Sequence, residues 1–522
     1  MTTLAPASTP QNIPMGNRSL RRLLLMLGVA GGTGILVALG LYVTKAAYVA
    51  LLPLGLALIL PTLLVKDFRL YWFAIFLLSL QFTVSKNLND GLAVIERLKI
   101  DYTIWDFTFD ITATDIALLV LLVIWANDWI FHRRRFRFPR VTWLAVGYLG
   151  IALLSTVGAA SPYLGLVEIW RQTKLFIVYL FTINCVDSKS ALRVLAVVGV
   201  IILVVQAGVT VVRFETGSMT PVVFGETHQD LSQIQEYLAV DRSVEGSALR
   251  GFGTLNSPGS TLHLCMMVIP FALFLCVPNS MFRVRQLFAA LTAFSLMGLV
   301  LTFTRVYYIT ASAQIVLAFL IMVRDRIFKR EQVVVVLLLA LAAVAAAIPK
   351  LYKQFTIRED SVSVRLLQYD ATIRMIRHNP FLGVGLNNAT GQKQNYVNVT
   401  YNPYDPDTQF YKEPTHNMYL SMASEIGVFG ALLFFTFFAK AALLAWQESR
   451  HSTDLEVRMV ANALVVVFCG VALNGLMDPL HEYPVLVLLW LYAGLSVNLA
   501  RMERGQETAD ARADHPNTIA AH

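Results

Sequence analysis

Long apolar runs separated by polar loops recur along the chain from Leu23 almost to Leu499. A run of about 20 apolar residues crosses the hydrocarbon core of a bilayer as a helix, because a helix satisfies its own backbone hydrogen bonds where water is absent. The runs predict spans at roughly 22–43, 46–65, 69–84, 112–131, 141–158, 174–187, 192–212, 259–277, 286–303, 306–323, 332–348, 417–445, 458–477 and 484–500. The expected fold is all-α, a polytopic integral membrane bundle of about 12–14 transmembrane helices.

One stretch between spans has a different period. In "SVSVRLLQYDATIRMIRH" (361–378), Val362, Leu366, Tyr369, Ile373 and Ile376 follow in alternating steps of four and three. That is one face of an amphipathic helix, able to lie on a membrane surface or to cap the bundle. Asn379-Pro380 stops it, and Gly383 and Gly385 in "FLGVGLNN" permit a tight turn or a close backbone approach. The following "QKQNYVNVTYNPYDPDTQFYK" is loop chemistry, suited to stacking on sugar rings or to a plain structured loop.

The polar segments then orient the spans. Basic loops at 66–69, 132–140, 282–285 and 324–330 fall on one side together with the N-terminus, which the positive-inside bias makes cytoplasmic. Three long loops, 85–111, 213–258 and 349–416, then lie outside. The same alternation puts Arg171, Lys174 and Arg305 at outer helix ends, against the bias, so these residues need an explanation. Segments 1–17 and 501–522 lack an apolar face and are expected to be disordered cytoplasmic tails flanking a membrane domain of 18–500. The run from Leu23 to Val43 has no clear cleavage site and reads as a retained span.

Composition sharpens this picture. The 522 residues are 56% hydrophobic and 15% charged, with a mean hydropathy of +0.59, which leaves no room for an ordinary soluble catalytic domain. The net charge of +8 is scattered over loops, so it reports topology and points to membrane lipid, not nucleic acid. Cys185, Cys265, Cys276 and Cys469 lack paired spacing, and no acidic pair has metal-ligand spacing. No metal or other cofactor is expected.

Candidate chemistry gathers at the expected outer helix ends. In "EPTHNMYL" (413–420), His416 is either an interfacial helix start or a proton-transfer group, since an imidazole titrates near 6.5 and changes charge about neutral pH. Arg305 lies between apolar spans, where a charge is costly and by default functional. Arg250 precedes the Gly-rich "GFGTLNSPG", which could turn backbone N–H groups toward an anion. Arg171 in "EIWRQTK" is a phosphate contact or the partner of Glu168; Arg365 meets sugar or phosphate, or is solvated. Asp478, His481 and Glu482 in "DPLHEYP" form a second polar cluster and read as loop structure. Glu425, nine residues after His416 and so on the opposite helix face, reads as a buried structural contact.

The order "LRGFGTLNSPGS", "LTFTRVYY", "RLLQYDATIRMIRHNPFLGVGLNN", "PTHNMYLSMASEIGVFG" resembles the O-antigen ligase and Wzy-type polymerase superfamily of bacterial envelope glycosyltransferases, over about 160–440. The resemblance implies transfer of glycan from undecaprenyl diphosphate at the outer leaflet of the bacterial cytoplasmic membrane. A base attacking opposite the diphosphate inverts the sugar, and arginines doing the electrostatic work of a divalent cation make the transfer metal-independent. The acceptor is a glycan in a polymerase, which the long Tyr/Asn-rich loop and the many spans favour, or a lipid A core in a ligase. A chain-length regulator is an expected partner of the polymerase. By motif, His416 matches the superfamily's essential histidine, and Arg250 and Arg305 match arginines that hold the diphosphate; Arg171, outside the motifs, is the further candidate for a diphosphate contact. Arg365, Asn417 and Tyr419 are the candidate glycan or phosphate contacts. Thr304-Arg305-Val306 stands where Ser-Arg-Gly is common. A transporter of the same lipid is the reading from another class, and it would place charges along a path at mid-membrane.

Overall fold

The computed structural model describes residues 67–82, 85–89, 108–131, 135–216, 251–255, 257–275, 285–302, 304–326, 360–397 and 410–514, with 94, 97 and 98. The expected spans at 22–43, 46–65 and 332–348, the segment 1–17 and Arg250 lie outside these. The chain divides into two compact units, 1–75 and 76–522. Helix α1 (Phe68–Ser79) begins in the first. The second contains β1 (Ser85–Asn87), β2 (Asp110–Thr112), α2 (Ala113–Phe131), α3 (Thr142–Val157), α4 (Pro162–Cys185), α5 (Lys189–Thr216), α6 (Pro258–Leu275), α7 (Arg285–Val300) and α8 (Arg305–Arg324). It continues with α9 (Asp360–His378), a single turn α10 (Ala389–Gln392), α11 (Met418–His451), α12 (Leu455–Asn474) and α13 (Tyr483–Asp514).

Among the described residues seven helices are long and apolar enough to cross a membrane, and three shorter apolar helices accompany them. The fold is the expected all-α polytopic one. The two short strands form one antiparallel ladder in which Ser85 faces Thr112.

Two boundaries differ from the hydropathy reading. Helix α4 starts at Pro162, twelve residues before the apolar run at 174, with proline in the first turn where its missing N–H costs nothing. Glu168, Arg171 and Lys174 are therefore inside a buried helix, where they pair as described below. Helix α13 runs on to Asp514, into the stretch expected to be an unfolded tail. Its "RMERGQETADARAD" is rich in Arg, Glu and Ala, good helix formers that prolong an existing helix without an apolar face.

The core of the second unit surrounds Trp490 of α13, which is fully buried among Tyr148, Phe176, Tyr179, Phe437 and Phe438. Helix α11 packs on α3 and α12, α13 on α4, and α6 on α5 and α12. Lipid is as apolar as leucine, so helix association leans on packing and on interhelical hydrogen bonds. Asn498 Nδ2 donates to the carbonyls of Thr182 and Val186 at 2.9 Å each, and Tyr492 donates to Met267 O at 3.1 Å.

Helix α9 forms where expected, but the face it turns inward is not the apolar stripe. Gln368, Ala371, Thr372 and Met375 are buried, whereas Leu366 is 62% and Ile373 37% exposed. The inward face is small and polar because it bonds to the segment beneath it, and the larger apolar side chains are left outward.

Candidate active site

The segment after α9 is clasped by a break in α11. Pro380 ends α9, and Gly427 interrupts α11 with φ 72° and ψ 171°. Opening the helix there frees two carbonyls: Val384 N donates to Ser424 O at 2.8 Å and Gly385 N to Glu425 O at 3.0 Å. In return Val428 N donates to Pro380 O at 2.8 Å. A Cβ on Gly427 would lie 2.0 Å from Phe381 O, and one on Gly383, which has φ 67°, 2.4 Å from the Glu425 carbonyl carbon. The "NPFLGVG" and "SEIGVFG" stretches are thus two halves of one joint, with glycine demanded on both sides. Glu425 completes it by accepting from Asn387 N at 3.1 Å, a structural contact.

His416 sits just ahead of α11, half-buried against α9. Asn417 caps the helix, its side-chain oxygen accepting from Leu420 N at 2.9 Å. The rest of the segment is stitched to the carbonyls that α12 leaves unpaired at its C-terminus. Met418 N donates to Gly475 O at 2.8 Å, Asn417 Nδ2 to Leu476 O at 3.0 Å, and the Tyr419 hydroxyl to Ala472 O at 2.8 Å. Tyr369 of α9 donates to His416 O at 2.8 Å, and Thr372 is hydrogen-bonded to Thr415 at 2.7 Å. Asn417 and Tyr419, expected as glycan or phosphate contacts, therefore spend these polar groups on holding the frame.

The imidazole itself is oriented. His416 Nδ1 lies 3.2 Å from Gln368 Oε1. A carbonyl oxygen only accepts, so Nδ1 carries the proton and Nε2 keeps its lone pair. Burial pushes the His416 pKa below the ordinary value; the positive charges of Arg365, Lys393 and His481 act the same way, against the opposing carboxylate of Asp478. At neutral pH this is a neutral base with its accepting nitrogen defined.

The turn between α12 and α13 joins this histidine to the other helices. Tyr307, two residues into α8 from Arg305, donates to Asp478 Oδ2 at 3.3 Å and is hydrogen-bonded to His263 Nε2. His263 of α6 in turn meets Glu482 through Nδ1 at 2.7 Å, and Asn474 lies 3.0 Å from its Nε2. The Arg305 side chain is outside the described residues, but its backbone opens α8 at this same end. Gly251 N donates to Leu301 O at 3.0 Å, which brings the chain next to position 250 alongside the start of α8. Arg213 at the end of α5 holds that strand, donating to Gly253 O at 2.6 Å with its guanidinium 4.1 Å from the Phe252 ring.

Two of the positive charges that ran against the insertion bias, Arg171 and Lys174, are matched. Arg171 pairs with Glu168 at 2.8 Å and donates to His481 O at 2.6 Å. Lys174 lies between Asp110 at 3.1 Å and Asp115 at 2.9 Å, with the Tyr483 ring 4.5 Å away. Arg171 thus forms the Glu168 partnership, and through His481 it braces the Asp478–Glu482 turn.

Residues 288–435 match the family model described as O-Antigen ligase. The resemblance read from the motif order is shown over this stretch, and the chain is a multi-pass membrane protein with an O-antigen ligase-type segment. No curated protein matches the chain. The O-antigen ligase-type segment carries Arg305, Arg365, both halves of the glycine joint and His416. It excludes Arg171, Arg250 and the Asp478–Glu482 turn.

Sequence reasoning singled out His416 and Arg365 but gave no role in the site to Gln368, Tyr307, Asp478 or Lys393. Gln368 lies one helical turn after Arg365, a spacing visible in "RLLQ". Tyr307 follows Arg305 in "TRVYY". Asp478 belongs to the polar "DPLHEYP" cluster, which was noticed and read as loop structure. Lys393 gave no signal, because a lysine in "GQKQN" looks solvated; it is completely buried.

Proposed function

We propose that the protein is a glycosyltransferase that polymerises glycan repeat units carried on undecaprenyl diphosphate, at the outer face of the bacterial cytoplasmic membrane. What carries this reading is the neutral, oriented imidazole of His416 on a segment matching O-antigen ligase. Nε2 takes the proton of the acceptor hydroxyl as that oxygen attacks the anomeric carbon. The bond to the diphosphate breaks on the opposite face, the electron pair leaves with the phosphate oxygen, and the sugar inverts. Arg365, Arg305 and Arg250 supply the positive charge for the departing diphosphate, since a guanidinium fork bonds phosphate oxygens and never loses its proton. On this account no divalent ion is needed, and chelators leave the rate unchanged. The side bearing this site is extracytoplasmic and both chain ends are cytoplasmic, as the basic loops require.

A second reading, the ligase, is favoured by the description of the matched family. Purified protein given lipid-diphosphate glycan alone separates the two: a polymerase lengthens chains, whereas a ligase forms product only when lipid A core is added. His416→Ala is expected to lower kcat by about 10² to 10⁴ in either case. Full activity in a His416→Ala protein that inserts normally sinks the assignment. A chain-length regulator is the partner expected to change product length without changing the rate of bond formation.

A further inference from the structure

Lys393 follows α10 directly, in a helical turn at Lys393–Tyr396, and is 0% exposed. Its amine donates to the Glu413 carbonyl, three residues before His416. No carboxylate among the described residues is paired with it at salt-bridge distance. The turn it opens joins an apolar cluster through Tyr396, with the buried Met375, Val384 and Ala389, and burying a methionine or leucine there would cost less than burying an amine. A buried amine in such a place is a functional candidate with a physical rationale.

We propose that Lys393 is a positioning residue of this active site: its amine, buried under the His416 segment, fixes that segment through Glu413 and confronts the imidazole with a positive charge. The inference rests on the reading of His416 as the base. Residues 413–416 are held by Lys393 on the Glu413 carbonyl, Thr372 on Thr415, Tyr369 on the His416 carbonyl and Gln368 on the imidazole. The last three come from α9. Lys393 instead ties the segment to the turn after α10, so it sets the first residue of the run from which the imidazole projects.

Its charge has a second consequence. Burial pushes the Lys393 pKa down to about 7, with Glu413 and Glu425 opposing. His416 titrates below its ordinary value, so Lys393 is protonated over the range in which His416 gains a proton. The groups facing His416 are Arg365 from α9, Lys393 from the turn after α10, and Asp478 and His481 from the turn before α13. Three of these favour the neutral base, and Lys393 is the completely buried one, where water screens least.

The test uses the purified full chain in lipid nanodiscs with lipid-diphosphate glycan as donor, supplied with and without lipid A core. Lys393→Met and Lys393→Gln are compared with wild type and His416→Ala. Lys393→Met is expected to lower kcat about tenfold or more with KM nearly unchanged, since a small displacement of a base is costly in rate. Its acid limb moves up by about half a unit to one unit, because a charge opposing His416 protonation is gone. Lys393→Gln retains a donor and recovers part of kcat, while its acid limb still moves. A wild-type kcat and limb in either variant overturns the inference. So does a fall in kcat with an unmoved limb, which would reduce Lys393 to a prop. If His416→Ala is inactive in the same series, the proposed function survives that failure; if His416→Ala is fully active, both fall.

Discussion

Replacing Lys393 by methionine is expected to stabilise the folded protein at pH 6 and to destabilise it at pH 10. The side chain is fully buried and its pKa falls from 10.5 to about 7. One unit corresponds to about 1.4 kcal/mol, so burying the ammonium costs on the order of 5 kcal/mol. The unfolded chain binds this proton more tightly than the folded one. The cost is therefore complete below about pH 7 and vanishes above 10.5, and wild-type stability climbs between those values. Methionine removes the cost but leaves the Glu413 carbonyl without its donor, a loss of about 1–3 kcal/mol at any pH. The balance favours the variant by roughly 2–4 kcal/mol at pH 6 and reverses sign by pH 10. Thermal melting of wild type and variant in nanodiscs, followed by tryptophan fluorescence across pH 6 to 10, reads this directly. A gap between the two melting temperatures that stays constant across the range would refute the buried-ammonium argument.

Two further outcomes follow from the geometry. Gly427→Ala places a Cβ 2.0 Å from Phe381 O at a positive φ, so it should cost about 2–4 kcal/mol and abolish activity; limited proteolysis within 379–397 reads the loosened clasp. Arg365→Gln removes a charge that keeps His416 neutral, so the acid limb of kcat against pH is expected to shift upward, and an unmoved limb contradicts the electrostatic role given to Arg365.

The helices were legible because a membrane leaves the chain few options: apart from the start of α4 and the end of α13, each apolar run that falls on described residues is a helix within a few residues of its expected ends. The reading of α4 failed for a specific reason. Hydropathy treats Glu168, Arg171 and Lys174 as three separate costs, whereas the fold joins each to an opposite charge on its own helix or a neighbour. Charges that cancel in space do not cancel in a sliding window. The same limit applies to the site. "NPFLGVG" announced a tight turn, but the break at Gly427 in "SEIGVFG" was read through as regular helix, and that the two stretches need each other is a long-range fact. His416 and Arg365 stood out by residue type at helix ends. Lys393 could not, since burial of a loop lysine depends on α9 and the segment leading to His416 closing over it. The stripe on α9 was read at the correct period, but periodicity says nothing of which face turns inward when polar groups await it.

The termination of α12 has a bearing on how a bulky lipid head could be admitted. Its last carbonyls hold Met418, Asn417 and Tyr419, and its chain continues at once into the turn bearing Asp478. His416 and Asp478 are therefore mounted on one bracket at the end of α12. Under the proposed function, a doorway for the polyprenyl carrier opens by displacing parts not bolted to that bracket, so passage of the lipid need not disturb the register of the imidazole.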